Sequence, residues 1–563
     1  MHVAACSVAS VQRRTARLLC RLRRVVIVIT RPWQRMLVRW AGAFLLVTGP
    51  FGVLNATPAE DAARAWGHPF WGGLGSNSTP CVTCHQADPY ALLFDTSPVL
   101  ASQWWVAGGS RRLPAYAWFK SPGGAGALLQ GEGPVETEQH PFFTPMGTNG
   151  RACVTCHQPS DGMSLSIKTI QARWTTTGGR DPLFAMVDGA NCPSAPAQAL
   201  EAHSLLITKG LFRIALPWPP RDAVGNAMTP EFTLEVVDDP TGCNRDPRHG
   251  LTSSQPTVSV YRRPRMAANL AYLEAADGRA ATTLMSDGRA AHLTAQMDDA
   301  TMHHLEADHG LGPQAQQTIR AFERQVYAAA AWHPVGGSLN EGGSTLGVAA
   351  LQADAPSGAA IPTVAPFPEL AGWLTERSLA DGLGSWPTGV PMPPAHRPGE
   401  ATETPAVRAY RDSVARGYAL FIARPFAGDD GRPETCATCH NALHTGSDAR
   451  GGHPGLGVAT LAVGLPAPDL PLFRVTCREG ATAPSGARVV YTHDPGRALI
   501  TGRCADVDEV NAQQLRALAA RAPYFTGGSA ATLRDVVEYY DRRFAIGYTP
   551  ADIEDMVHFL EAL

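Results

Sequence analysis

The sequence predicts a mainly α-helical protein of several domains, with some β-strand insertions. Three observations support this prediction: apolar residues recur at helical spacing in residues 406–563, apolar–polar alternation marks two short strands, and a Cys-x-x-Cys-His motif occurs three times. The strands are predicted at 231–237 and 257–263. With 563 residues, the chain is long enough for three or four domains of about 150 residues each.

The three motifs predict covalently attached haem. Two thiols three positions apart on one helical turn reach the two vinyl groups of one porphyrin, and the adjacent histidine presents its imidazole to the iron. A redox dithiol or a structural zinc site could explain one copy, but three copies, each followed by histidine, favour three haem c groups in cytochrome c-like domains. The motif residues are Cys81, Cys84 and His85; Cys153, Cys156 and His157; and Cys436, Cys439 and His440.

Residues 1–56 have the features of a leader. An apolar run over 40–54 follows a basic residue, and Ala56 provides a small residue at a cleavage point, so Met36 is a candidate for the true start. We therefore expect an exported, periplasmic protein. The alternative is an uncleaved leader that anchors the chain in the membrane.

The cysteines outside the leader and the haem motifs predict disulfides. Four of the twelve cysteines remain, an even number in an oxidising compartment. We expect the pairing that is local in sequence, Cys192 with Cys243 and Cys477 with Cys504, although four cysteines also allow two other connectivities.

Motif positions and composition divide the chain after the leader into four segments. The last of them contains a predicted helix from Val407 to Phe421 and two further helices that begin at the capping residues Thr532 and Thr549. The four segments are a first haem c unit (57–140), a domain with the second motif and a β insertion (141–332), a Gly/Pro-rich linker or surface loop (333–405), and a C-terminal cytochrome c domain (406–563).

Two stretches carry a family resemblance. The segment that begins RAPYFTGGS (521–529) and runs to the C-terminus is similar to the C-terminal signature of the bacterial di-haem cytochrome c peroxidase and MauG superfamily, and MSDGRAAHLTAQ (285–296) resembles an internal Asp-Gly-Arg motif of the same superfamily. The resemblance covers about residues 141–563. The first haem unit would then be an N-terminal addition, as in tri-haem members.

The resemblance implies a division of labour between haems. The haem on Cys153 and Cys156 would react with hydrogen peroxide or another oxidant, and the haem on the third motif would receive electrons. The donor would be a small redox protein, such as a cytochrome c or a cupredoxin, or a quinol-derived source. By position, His304 (or His303) is the candidate distal ligand or acid/base group, and Glu306 is the alternative base.

The sequence departs from the family pattern at three places. Ser286 stands where the family has a tryptophan between the haems, and Thr526 replaces a histidine. No methionine matches the ligand of the electron-transfer haem, where Tyr539 and Tyr540 stand instead. MauG is similar in using a tyrosine at this haem, so the resemblance makes Tyr540 a candidate distal ligand, with core packing as the alternative. Other candidate sixth ligands are His68, His140 and Met146 for the first haem, residues 285–310 for the second, and His444, His453, His493 and Met556 for the third.

Two other functions remain open from the sequence. One is a non-catalytic multihaem electron carrier, and the other is a haem c oxygenase that acts on an organic substrate. The net charge of −3 argues against a nucleic-acid partner.

Overall fold

The computed structural model describes residues 104–274, 283–339, 346–354, 404–429, 431–440 and 455–563. These residues belong to one compact unit. The leader, the first haem motif and most of the predicted linker lie outside the described residues, as do the candidate ligands His68, His444 and His453.

Helices and short antiparallel strands alternate along the described chain. The helices are α1 (Ile167–Thr177), α2 (Ser204–Lys209), α3 (Leu293–His304), α4 (Pro313–Gln325), α5 (Val348–Asp354), α6 (Pro405–Ala423), α7 (Cys436–Cys439), α8 (Ala498–Thr501), α9 (Leu533–Phe544) and α10 (Pro550–Glu561). The strands are β1 (Arg112–Leu113), β2 (Tyr116–Ser121), β3 (Gly124–Gln130), β4 (Val135–Glu136), β5 (Phe212–Pro217), β6 (Phe232–Asp238), β7 (Thr257–Arg262), β8 (Val326–His333), β9 (Gly337–Ser338), β10 (Phe426–Ala427), β11 (Pro433–Glu434), β12 (Leu472–Cys477) and β13 (Val489–Thr492).

The predicted C-terminal helices are confirmed, with their caps. The Thr532 side chain accepts a hydrogen bond from the Asp535 amide at the start of α9, and Thr549 does the same for Asp552 at the start of α10. In both cases the aspartate side chain accepts from the threonine amide in return, which completes a capping box. The capping residues Thr532 and Thr549 therefore correctly predicted where these two helices begin.

Helices α6 and α10 cross closely because Gly417 lies at their contact. A Cβ atom on Gly417 would lie 2.0 Å from the Asp555 carbonyl oxygen, so only glycine allows this approach. Tyr418 and Phe559 pack beside the crossing, with ring centroids 5.6 Å apart. This helix pair forms the core of the C-terminal part of the chain.

A four-stranded sheet joins the beginning of the described chain to its middle. Its strand order is β2–β3–β8–β9, so the 116–130 hairpin pairs with strand β8 across the boundary expected after residue 140. Trp105, which the sequence analysis assigned to the first haem unit, is buried with Phe143 in the core beside the second haem motif. The first haem unit stays a prediction, because its motif is not described.

The predicted strands at 231–237 and 257–263 are confirmed as β6 and β7. Strand β7 pairs with β5, whereas β6 pairs with β12 from the C-terminal part, next to β13. Both expected disulfides are present close to these strands, Cys192–Cys243 with Cα atoms 5.1 Å apart and Cys477–Cys504 with Cα atoms 5.9 Å apart.

The described ends of the predicted 333–405 linker contain ordered structure. Strand β9 and helix α5 lie in its first part, and Leu339, Leu346 and Leu351 are buried there, because their side chains complete apolar clusters under β8. None of the helices within the described residues combines the length and hydrophobicity needed to cross a bilayer.

Two stretches share one arrangement of elements: 269–326, of which 269–274 and 283–326 are described, and 517–563. Each begins at a left-handed residue that opens a 3-10 turn, continues through a tight loop closed by a β-bridge, and ends with two helices, α3–α4 in one and α9–α10 in the other. In each unit the amide of the first residue donates to a carbonyl near the end, Asn269 to Val326 and Ala517 to Leu563, both at 2.8 Å. The Asp-Gly-Arg and Ala-Pro-Tyr motifs form the equivalent loops.

Candidate active site

The second and third haem motifs adopt the same turn. In each, the first cysteine begins a single helical turn and its carbonyl accepts from the histidine amide at 3.0 Å, Cys153 from His157 and Cys436 from His440. The threonine between the cysteines, Thr155 or Thr438, accepts from the amide that precedes the turn, at 3.0 and 2.9 Å. The two motifs therefore present their thiols and imidazoles alike.

The donor groups of both motifs fit a haem c. The four other cysteines of the described chain pair with one another in two disulfides, and not with the cysteines of these motifs. Burial lowers the pKa of His157 and of His440 to about 4, so each imidazole is neutral, which is the form that binds iron. Each histidine also lines a cavity together with at least one of its cysteines.

His157 and His304 line one cavity of about 170 Å³. Helix α3 begins just after the Asp-Gly-Arg loop and ends at His304, so the loop fixes the direction of the helix that carries this histidine. The loop itself is held by Asp287, which is fully buried and contacts both Arg262 and Arg289. His157 and His304, which are far apart in the sequence, thus face the same cavity.

The His304 imidazole is held by a buried carboxylate. Its Nδ1 lies 2.5 Å from Asp188 Oδ2, and Asp188 Oδ1 accepts from Arg151 Nη1 at 2.5 Å. Burial alone would raise the pKa of Asp188, but the charge of Arg151 and the hydrogen bond from His304 hold it below its ordinary value. Asp188 is therefore an anion that accepts a hydrogen bond from Nδ1–H of His304, so that Nε2 carries no proton in the neutral ring.

The same arginine also fixes the backbone of His304. Arg151 Nη1 donates to the His304 carbonyl at 3.0 Å, and Asn149 donates to it at 2.9 Å. Because Arg151 and Asn149 lie two and four positions before Cys153, the haem motif and the end of α3 are tied together. Arg151 is 1% exposed, so this connection is shielded from water.

The structure separates His304 from the two alternative residues of the same segment. His303 is largely exposed, and its Nδ1 donates to the Asp299 carbonyl one turn earlier. Glu306 is exposed, with a φ of 56°, and its side chain does not line the cavity around His157. Its backbone carbonyl accepts from the Thr148 amide at 3.3 Å. Of the three candidates, His304 is the one that faces the cavity.

Other polar residues also line the cavity around His157. Ser286 lies there, at the position where the family has tryptophan, and so does Gln296. Glu323 of α4 also lines it; burial, with a smaller contribution from Glu274, raises the pKa of the Glu323 carboxyl to about 8. This carboxyl is therefore mostly protonated at neutral pH.

A second cavity, of about 430 Å³, surrounds His440. Tyr540 of α9 lines it with Cys436 and Cys439, and burial raises the pKa of the Tyr540 hydroxyl, so the phenol is neutral. Met556 and His493 line it too; His493 Nδ1 donates to the Pro471 carbonyl at 3.0 Å. Tyr539, in contrast, is buried and donates to the Leu456 carbonyl at 2.7 Å. Three of the candidate ligands for the third haem thus face one space.

The candidates for the first haem are placed only in part. His140 packs edge-on against Phe143 and Phe322, and Met146 packs against the same core. Phe142 belongs to the same aromatic cluster and also contacts the His157 ring; the Phe142 and His157 ring centroids are 6.4 Å apart. Whether either side chain faces a first haem stays a prediction.

Comparisons with known proteins give a partial likeness. No protein-family model matches the chain. A curated relative is a cytochrome-c peroxidase. Over 166 residues the chain is 31% identical to cytochrome-c peroxidase IdrP1 from Denitromonas iodatirespirans, a match that covers 26% of this chain and 39% of the relative. The chain therefore spans about two fifths of the length of that relative, and the likeness supports a peroxidase-like cytochrome.

Sequence reasoning missed Asp188 and Arg151. Asp188 lies in a segment, MVDGANCP, that carries no recognisable signal, and 116 positions separate it from His304. Arg151 lies two positions before the first cysteine of the second haem motif, and this nearness is the one available clue. The arginine has no counterpart before the third motif, where Glu434 and Thr435 stand.

Proposed function

We propose that the chain is a tri-haem c-type cytochrome that reduces hydrogen peroxide at the haem attached through Cys153 and Cys156. Electrons would come from a small redox protein or a quinol-derived donor and pass through the haem of the third motif. The reaction takes up two electrons and two protons for each peroxide and yields two water molecules.

The observation that carries the proposal is the shared cavity of His157 and His304. A closed electron carrier requires a ligand on each face of the iron, whereas a peroxidase requires a positioned acid/base group near an accessible face. The Asp188–Arg151 pair holds His304 in one orientation. A group that accepts and returns a proton in each turnover requires such a fixed orientation. This arrangement favours the peroxidase.

The protein's own residues would supply proton transfer. A bound haem iron supplies electrons and the affinity for peroxide. Nε2 of His304 would accept the proton of one peroxide oxygen and return it to the other, which leaves as water. Asp188 would stabilise the imidazolium that exists between these two transfers, because its charge lies 2.5 Å from Nδ1.

Electron delivery is supported by the arrangement of the two cavities. Both are lined by Arg263, Pro264, Ala512, Gln513 and Arg521, so one layer of protein separates them. Ser286 replaces the tryptophan of the family in this region, and the pathway would therefore run through that shared layer. The haem of the first motif would extend the chain of electron carriers outward.

Export to the periplasm is part of the proposal. The predicted leader supports it, and so do the two disulfides, because disulfides persist in oxidising compartments.

Electron paramagnetic resonance of the holoprotein tests the proposal. We expect a high-spin iron in the oxidised or the half-reduced protein, a spectrum that changes on addition of peroxide, and peroxide consumption that depends on an electron donor. Low-spin signals alone in both states, unchanged by peroxide, would mean an electron carrier. Oxygen uptake with an organic substrate and no reductant would mean an oxygenase. A pyridine haemochrome assay counts the haems, with three expected.

A further inference from the structure

The layer shared by the two cavities carries buried positive charge. Arg263 and Arg521 line both cavities, and Arg265 lines the cavity around His157. Arg263 is 7% exposed and Arg521 is 8% exposed. These three guanidinium groups lie at or beside the layer that separates the two cavities.

These arginines bind main-chain carbonyls and no carboxylate of the described residues. Arg263 donates to the carbonyl of Lys209 at 2.6 Å and to that of Leu165 at 3.2 Å. Arg521 donates to the carbonyl of Gln514 at 2.5 Å, and Arg265 donates to that of Asn511. The Nε atoms of Arg265 and Arg521 are buried without a hydrogen-bond partner. Each cation therefore retains donor capacity.

The neighbouring Arg262 shows the usual solution for a buried cation. It contacts Asp494 through two nitrogens, at 2.7 and 2.9 Å, and also contacts Asp287. Arg263 and Arg265, one and three positions further along the chain, have no such partners among the described residues. Asp161 attracts Arg263 and Asp287 attracts Arg265, but neither carboxylate is hydrogen-bonded to these arginines among the described residues. The cost of burying the three charges is therefore only partly offset.

The three charges also repel one another. Burial lowers the pKa of Arg263, Arg265 and Arg521 to about 10, and the charge of Arg521 contributes to this lowering at the other two. All three remain protonated at neutral pH. An anion at this layer would relieve both the burial cost and the mutual repulsion, and each haem c carries two propionate carboxylates.

We infer that Arg263 and Arg521 bind propionate groups of both haems, and that Arg265 binds a propionate of the haem on Cys153 and Cys156. The shared layer is then a cationic propionate site, in which one arginine set controls the charge at two haems. The inference rests on haem attachment at the second and third motifs and not on peroxidase activity. A guanidinium fork fits this role because it pairs with a carboxylate through two parallel hydrogen bonds.

Redox titration of the holoprotein without peroxide tests the inference. Loss of a positive charge beside a haem favours the oxidised form. We expect Arg521→Gln to lower the reduction equilibrium constant of both haems by about tenfold, which is about 59 mV for a one-electron couple. Arg265→Gln should shift only the haem on Cys153 and Cys156. Arg521→Lys keeps the charge and should leave the reduction equilibrium constants of both haems within about threefold of the parent values.

Resonance Raman spectroscopy provides a second measurement that depends on hydrogen bonds rather than on charge. Arg521→Lys should alter the propionate bending modes while the potentials hold, because lysine cannot form the two parallel bonds. The control is Arg534→Gln, which removes an arginine that is exposed and paired with Glu554 on the surface of α9. It should change neither measurement.

Three outcomes would overturn the inference. These are unchanged potentials in Arg521→Gln with full haem content, a shift confined to one haem in that variant, or equal shifts in Arg521→Gln and Arg521→Lys, which would indicate packing rather than charge. If Arg521→Gln fails to fold, Arg265→Gln decides the question by its effect on a single haem. The reduction potentials and the Raman spectra are measured without peroxide. The propionate inference can therefore fail while the peroxidase proposal holds, and the reverse.

Discussion

Replacing Asp188 by asparagine tests how His304 is positioned. The substitution keeps the shape of the side chain but removes the charge that accepts from His304 Nδ1 and from Arg151, both at 2.5 Å. An amide nitrogen that faces Nδ1 donates rather than accepts. The imidazole would then carry its proton on Nε2, the nitrogen that accepts a proton from peroxide in the proposed reaction.

The structure sets the expected magnitudes. Removing one partner of a buried ion pair costs about 3–5 kcal/mol. Arg151 keeps its carbonyl acceptors at Pro182, Leu183 and His304, at 2.7, 2.8 and 3.0 Å, so we expect the lower end, about 3 kcal/mol of unfolding free energy. Peroxide turnover should fall at least about 100-fold, the usual contribution of a positioned acid/base group.

Asp181→Asn is the matched control. Asp181 pairs with Arg173 at 2.5 Å in the same part of the chain, with both side chains buried, but it does not line the cavity around His157. We expect a similar loss of stability in chemical denaturation and near-parental peroxide turnover in a donor-coupled assay. Equal loss of turnover in the two variants, or full turnover in Asp188→Asn, would refute the positioning role.

Three further predictions concern single residues or bonds. His304→Ala should abolish peroxide turnover and change the spectrum of one haem, whereas His303→Ala, at the exposed neighbour, should do neither; identical behaviour would remove His304 from the site. Burial lowers the pKa of His333 to about 4, so below pH 6.5 the folded protein binds fewer protons than the unfolded chain. The free energy of unfolding should therefore fall by about 3 kcal/mol in all as the pH drops from about 6.5 to about 4. His333→Asn, which keeps an acceptor for the amides of Val335 and Gly336, should flatten that slope in denaturation curves, and an unchanged slope would contradict the assignment. Replacing Cys477 and Cys504 by serine should cost about 3.5 kcal/mol, since the bond closes a loop of 27 positions, and a loss below about 1 kcal/mol would contradict the loop-entropy reasoning.

Local signals in the sequence predicted the elements that depend on local chemistry. The caps at Thr532 and Thr549, the apolar stripe of α6 and the alternation of β6 each involve neighbouring residues, and the structure confirms them. The disulfide pairs were also correct, because the closest cysteines in sequence are the partners.

Contacts between distant segments could not be read in the same way. The alanine-rich run of β8 has no alternation, because both faces of this strand are buried between other elements, so its strand period is hidden. Asp188 meets His304 only through the fold, and nothing in its local sequence differs from an ordinary loop aspartate. His304 itself was found because its position after the Asp-Gly-Arg motif resembles a known family.

The sequence alone does not distinguish His303 from His304, whereas the structure does. Adjacent helical residues point about 100° apart, and either could face the cavity from its number alone. The ties from Arg151 and Asn149 to the His304 carbonyl set the rotation of the helix end. The Glu306 carbonyl is also held, by the Thr148 amide, but Glu306 lies past the end of the helix and its side chain remains exposed.

The pairing of β6 with β12 also sets the order in which the protein can fold. The partners, at Phe232–Asp238 and Leu472–Cys477, lie about 240 positions apart in the sequence. At a synthesis rate of about 5–20 residues per second, β12 becomes available about 10–50 s after β6. Until then, the β6 edge that β12 will cover is open, and the Phe232 ring, 1% exposed in the finished fold, lacks its cover. A chain that ends before β12 would keep that edge, so truncated forms should aggregate rather than yield a free-standing N-terminal half.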